Sequence, residues 1–322
     1  MRHPCPPGKV APLAVLLLLG AVPRPALAQA WLAPKGEASF SVGGQYEHAR
    51  YHLLWEGQRD DRGRMEWYHV ISDLSYSVTD RFALRVGIPY VFSKYTGAFP
   101  HVPPAGRPPA DDGAWHRTFQ DFGFEARFLA GTGSLVITPF LAAGLPGAGY
   151  ETVAHAAAGR HVREYTGGVY LGRRLDPILP EAFAHARASF TMAERINGIW
   201  HNRNNADVDL GYFVSPSVSV RGLAAWQWTH GGFRIPLDTR PPENFAIHDQ
   251  VAKDSHFILG GGVSFAATGS LDLAATYIKT ISGENSLLLQ GLSLTATLNF
   301  APAQIAKKRK KETSPQRRAV IR

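Results

Sequence analysis

Ser293-Leu294-Thr295-Ala296-Thr297-Leu298-Asn299-Phe300 alternates without a break. Leu294, Ala296, Leu298 and Phe300 fall on one face; Ser293, Thr295, Thr297 and Asn299 fall on the other. A two-residue period makes a strand with one apolar and one hydrated face. The apolar face is aliphatic and closes on an aromatic ring. The last strand of a barrel with lipid outside and water inside reads this way.

The pattern recurs upstream. Phe40, Val42, Gly44 and Tyr46 alternate with Ser39, Ser41, Gly43 and Gln45. Tyr68, Val70, Leu74 and Tyr76 alternate with His69, Ile71, Asp73 and Ser75. Phe82, Leu84, Val86 and Ile88 alternate with Ala83, Arg85 and Gly87. Similar runs lie around Phe122–Phe128, Tyr165–Leu171, Ala184–Met192, Ala206–Val214, Val218–Trp228, Phe257–Phe265 and Leu271–Tyr277. Leu135 to Leu145 reads as a strand whose facing is less decided. The prediction is an all-β chain forming a transmembrane antiparallel β-barrel of about twelve strands.

The connections sort in register with the strands. Thr79-Asp80-Arg81, Gly131-Thr132-Gly133, Asp176-Pro177, Ser215-Pro216-Ser217 and Thr268-Gly269-Ser270 carry tight-turn chemistry. Between them lie longer polar connections at 54–64, 93–118, 146–162, 194–205 and 231–253, with a short one at Gly283-Glu284-Asn285. Outer-membrane barrels pair short periplasmic turns with long external loops. A soluble sandwich has no reason to do so. Tyr46, Phe82, Tyr90, Trp226, Trp228, Tyr277 and Phe300 sit near strand ends on apolar faces, where amphipathic rings meet headgroups.

Residues 1–28 read as a signal peptide. Arg2 and Lys9 precede an apolar run from Ala11 to Val22, and Ala26-Leu27-Ala28 is a small-x-small cleavage site. Residues 29–306 are the expected barrel and 307–322 a basic, disordered tail. The net charge of +8 belongs to the ends: the leader carries Arg2, Lys9 and Arg24, the tail holds a net +7, and the body is left at about −2. The basic pI therefore does not point to nucleic acid. The single cysteine, Cys5, lies in the leader, so the body has no disulfide and no thiolate metal site. The expected location is the bacterial outer membrane, with outer-membrane lipid and the barrel-assembly machinery as partners. Phe300 is followed by the tail, so machinery that reads a terminal aromatic reads it inside the chain.

Three motifs carry a family resemblance. They are Leu74 to Leu84 running on to Gly87-Ile88-Pro89-Tyr90, then Phe119-Gln120-Asp121-Phe122-Gly123-Phe124-Glu125-Ala126-Arg127, then Pro139 to Leu145-Pro146-Gly147. Together they resemble the outer-membrane family of the MetA pathway of phenol degradation. This chain has Gln120-Asp121 where that family tends to have Gly-Asp, and Pro-Gly where Pro-Thr-Gly is usual. The resemblance implies a barrel that moves small solutes, hydrophobic or aromatic ones among them. It supplies no catalytic residue.

Inward-facing candidates are Arg85, Asp121, Glu125, Arg127, Arg187, Asp207, Asp209 and Arg221. Acids and bases on neighbouring antiparallel strands pair across the ladder, so Asp207 or Asp209 is expected to meet Arg221. Such a lining either selects permeants or braces a narrow barrel. Of the many histidines, including His48, His52, His155, His201 and His248, none shows zinc-motif spacing. They are expected in loops as solvated residues, with no metal and no cofactor. Two other functions stay open. An outer-membrane lipid hydrolase needs a Ser/His site, and Trp200-His201-Asn202-Arg203-Asn204-Asn205 is the one conspicuous polar cluster. A structural or adhesive barrel would bind partners through its loops. The proline-rich Val102 to Pro109 is expected to form a stiff external loop.

Overall fold

The structure is a computed structural model that describes residues 30–301 except 240–241. The predicted leader (1–28) and tail (307–322) lie outside the described residues. Among the described residues the chain forms twelve long strands. They are β1 (Ala38–Leu53), β2 (Arg59–Thr79), β3 (Phe82–Thr96), β4 in two pieces (His116–Phe119 and Phe122–Phe128), β5 (Val136–Leu145) and β6 (Glu164–Arg174). The second half comprises β7 (Ala182–Ala193), β8 (His201–Ser215), β9 (Val218–Gly231), β10 (Ser255–Ala266), β11 (Leu271–Glu284) and β12 (Gln290–Phe300). Each pairs antiparallel with its neighbours in chain order. β1 also pairs with β12, from Ala38↔Phe300 to His48↔Gln290, which closes the sheet into a barrel without a free edge. Among the described residues no helix is long and apolar enough to cross a membrane.

The alternation in the sequence is the inside–outside alternation of the wall. Leu292, Leu294 and Leu298 are exposed on the outer surface, as are Leu74, Leu84 and Leu210. In water so much exposed aliphatic surface would be an aggregation hazard; in a bilayer it is the lipid-facing band. The undecided strand β5 is settled here. Val136, Thr138 and Phe140 point inward and are buried, while Leu141 is 71% exposed outside.

Aromatic rings form two levels. Phe40, Tyr76, Phe82, Phe128 and Phe300 ring the short-turn end. At the other level Tyr46 packs on Tyr68 (4.8 Å between centroids), Tyr90 on Phe119 (5.0 Å) and Trp226 on Phe257 (4.9 Å). Leu294 lies between the levels, opposite Gly44 and Ala275. Leu294→Arg should therefore cost about 2–4 kcal/mol in reversible unfolding from lipid vesicles. An unchanged denaturation midpoint would mean that this face does not meet lipid.

One boundary differs from the sequence reading. The polar stretch 54–64 is mostly strand, not loop. β1 and β2 continue beyond the aromatic level and turn through a single 3-10 turn at Trp55–Gly57. Charge holds the extension together: Arg50 on β1 pairs across to Asp61 on β2 at 2.8 Å, and Arg62 pairs with Asp60 along β2 at 2.6 Å.

Candidate functional site: the barrel lumen

The inner wall holds most of the predicted polar residues and joins them in pairs. Arg85 on β3 meets Asp73 on β2 at 2.8 Å, and Arg187 on β7 meets Asp207 on β8 at 2.6 Å. Arg221 on β9 meets Asp209 on β8 at 3.1 Å, so Asp209 is the acid that reaches it. Glu125 and Arg127 pair along β4. The Tyr170 hydroxyl donates to Glu125 at 2.9 Å, and the Arg127 guanidinium lies 5.0 Å from the Tyr170 ring. Asp121 stands apart. It sits in the break between the two pieces of β4 and accepts a 2.6 Å bond from the Tyr150 hydroxyl of a loop. Burial and that carboxylate push the Tyr150 phenol up. Two further inward pairs complete the belt: Arg203 with Glu164, and Arg160 with Asp254, each at 2.5 Å. Burial alone would raise the Asp254 carboxyl, but Arg160 and Arg203 outweigh it and hold it below the usual range.

Arg221 does more than neutralise an acid. Its second nitrogen donates to Thr276 Oγ1 on β11 at 2.9 Å, so the side chain crosses β10 as a bar. The residue it crosses is Gly262. A Cβ there would come within 2.9 Å of Thr276 Oγ1 and 3.4 Å of Arg221 Nε. The missing side chain is what lets the bar lie against the wall.

Chain segments enter the lumen from both ends. At the short-turn end Ala30 and Trp31 pack on Val136, Phe140 and Tyr170, and Thr138 Oγ1 donates to the Ala30 carbonyl at 2.7 Å. The Trp31 ring meets His185 edge-on at 4.9 Å. Gly172 makes the room, since a Cβ would lie 2.5 Å from the Trp31 ring. From the long-loop end the connection between β5 and β6 folds inward. Val153, Ala154, Ala156, Ala158 and Val162 are buried, and Ala156 and Ala158 pack on Met65, Trp67, Val91 and Tyr95. Small side chains fit a narrow lumen, and Trp67 Nε1 donates to the Ala157 carbonyl at 3.0 Å. The long β3–β4 loop packs against the inserted one and is joined to it by Arg107 with Glu151 and by Asp111, which accepts from the His155 amide.

Between these fillings lie two cavities. A vestibule of about 720 Å³ opens at the long-loop end, lined by Trp67, Phe99, Ile258, Ile278 and Leu289 together with polar groups. A second cavity of about 310 Å³ lies at the short-turn end beside Asp73, Arg85, Arg127 and Asp272. Along β10 and β11, Gly262 and Thr276 lie on the wall at the level between the two linings, where Arg221 crosses.

The histidines correct the sequence reading, which expected solvated loop residues. His52, His101, His155 and His248 converge from four parts of the chain beside the vestibule. His101 and His155 rings lie 3.8 Å apart, and His155 Nδ1 is 3.2 Å from His52 Nε2. Burial, then the neighbouring His101, holds the His155 imidazole down at about 4. The rings are far apart in sequence and no spacing rule links them; only loop folding brings them together. Asp111 anchors the same region, accepting from the amides of His101 (3.0 Å) and His155 (2.9 Å). His201, from the polar cluster at the start of β8, is fully buried and turned into the barrel.

Comparison with known proteins is limited to fold. No family model matches the chain, and no curated protein matches its sequence. Among solved structures, the crystal structure of the COG4313 outer membrane channel from Pseudomonas putida F1 is similar over 86% of this chain and 100% of that one. The TM-score is 0.66 and the identity 13%. Weaker similarity extends to the β domain of the Bordetella autotransporter BrkA (TM-score 0.46, 12% identity, 81% of this chain and 99% of that one). It also extends to the KdgM porin in complex with oligogalacturonate (TM-score 0.40, 7% identity, 81% and 99%). The fold is that of the bacterial outer-membrane barrels: a closed, all-β, twelve-stranded antiparallel cylinder.

Proposed function

We propose that this protein is a channel of the bacterial outer membrane for small solutes, held closed in the conformation described. The observation that carries the reading is the pair of cavities at opposite ends of one lumen, with the Arg221 bar on the wall at the level between them. The vestibule has the size of a small-molecule site, and its lining mixes apolar walls with a few polar groups. That chemistry suits a solute with an apolar body, in keeping with the resemblance to a family tied to phenol degradation. The short turns and the Trp31 segment then face the periplasm, and the long loops face outward.

The ion-pair belt fits a rigid wall. Each inward guanidinium of the predicted set has a carboxylate at hand, so little net charge is left to select an ion. The hydrolase alternative gains nothing from the cluster at Trp200–Asn205, because His201 points into the barrel and not toward lipid.

The waist supplies the test. Arg221→Ala removes the bar and leaves Asp209 without its cation. Reconstituted in liposomes, it should pass a small neutral aromatic solute several-fold faster than the parent chain. Equal rates in both would put the barrier elsewhere; no flux in either, with folded barrels confirmed, would argue against a channel.

A further inference from the structure

Two loops bring a compact donor set to the roof of the vestibule. His101 comes from the β3–β4 loop. His248 and Asp249 come from the short helix His248–Val251 in the β9–β10 loop. One ligand atom from each of the three lies within 4.8 Å of the others. The His101 and His248 side chains are 10% and 6% exposed.

The local hydrogen bonding leaves these atoms short of protons. His248 Nδ1 donates to the Phe245 carbonyl at 2.6 Å. In the neutral ring that fixes the tautomer and leaves the Nε2 lone pair exposed, the arrangement found behind metal-bound histidines. Nε2 then faces Asp249 Oδ1 at 3.1 Å. On the other side His101 Nδ1 lies 3.2 Å from Asp249 Oδ2, and neither buried atom has another polar partner. Acceptors crowded together out of water call for a cation or a proton between them.

The neighbouring triad of His101, Asp111 and His155 is a poorer candidate. Asp111 already accepts from backbone amides, and both His155 ring nitrogens have partners, at His52 Nε2 and the Phe99 carbonyl. These residues brace the loops.

We propose that His101, His248 and Asp249 bind a divalent first-row transition cation, with zinc as the type, at the roof of the vestibule. Two imidazoles and one carboxylate suit such an ion and are too poor in oxygen for magnesium or calcium. Metal–ligand bonds near 2 Å need the donor atoms about 3.3 Å apart, close to the 3.1 and 3.2 Å that separate each imidazole from Asp249. The ion is then a staple between the β3–β4 and β9–β10 loops, and its open positions face the cavity. This assignment does not depend on the channel reading, because binding is measured without flux.

The test uses the full, untagged chain refolded in detergent and stripped with a chelator. Zinc is titrated by calorimetry, and cobalt by its visible absorption. The parent should bind one equivalent of each, and zinc should slow protease cleavage in the 93–118 loop. His248→Gln and Asp249→Asn keep shape and lose a donor. Heat-modifiable gel migration checks that both variants are folded barrels. Each should lose affinity by more than the roughly 10–100-fold that an outer-shell partner of a metal site is worth. Stoichiometric binding of unchanged affinity in both variants would place the ion elsewhere. No binding by the folded parent would leave only a proton shared between His248 and Asp249, and would overturn the proposal.

Discussion

Replacing Val153–Ala158 with a short Gly-Ser bridge should open the barrel. Those residues occupy the long-loop half of the lumen, where Ala156 and Ala158 pack on Met65, Trp67, Val91 and Tyr95. Removing them frees a passage from the vestibule down to the Arg221 bar. Liposomes carrying the shortened chain should swell several-fold faster in small sugars than those carrying the parent. The combination with Arg221→Ala should be faster still, since the two barriers lie in series. The strands should survive, because the barrel closes through backbone pairing that the inserted loop does not supply. Unchanged swelling in the folded, shortened protein would mean that the inserted loop is not a barrier.

Asp111→Ala should release the loops that cover the vestibule. The carboxylate is 5% exposed and accepts from the amides of His101 and His155, residues on two different loops. Alanine leaves both amides unpaired, at about 1–3 kcal/mol each. The covering loops lose roughly 2–6 kcal/mol against local opening, so protease cleavage within 93–118 and 146–163 should rise by about thirtyfold to more than ten-thousandfold, provided opening is fast relative to cleavage. Asp111→Asn keeps one acceptor oxygen and should fall between. Cleavage at the parent rate in Asp111→Ala would show that other contacts hold the loops. The barrel itself should unfold as before, because the effect is local.

The barrel was legible because its physics is periodic. Leu294, Ala296, Leu298 and Phe300 record a lipid face one residue at a time, and short turns alternating with long loops record the membrane's two sides. That Asp207 or Asp209 meets Arg221 was legible for the same reason; the register, which sets Arg221 opposite Gly211 and diagonal to Asp209, makes the choice between them. The long β1–β2 hairpin was misread because charge on a strand above the bilayer looks like loop. The interior was not legible. Nothing in residues 146–163 announces that they fold inward; their alanines become plug residues only because Trp67 and Tyr95 stand opposite. The histidine cluster was missed for the same reason. His52, His101, His155 and His248 belong to four separated segments, and a spacing rule reads neighbours in sequence, not in space. The break in β4 shows the same limit. Asp121 reads as one more inward residue of a strand, yet it leaves the ladder and bonds Tyr150.

Single-channel recording of the parent chain in a planar bilayer tests the closed-channel account most directly. The inserted loop and the Arg221 bar predict a mostly closed channel with brief openings, and a closed fraction that falls in Arg221→Ala and falls further when Val153–Ala158 are replaced. A parent chain that conducts steadily, or a series of folded variants that all stay silent, would contradict it.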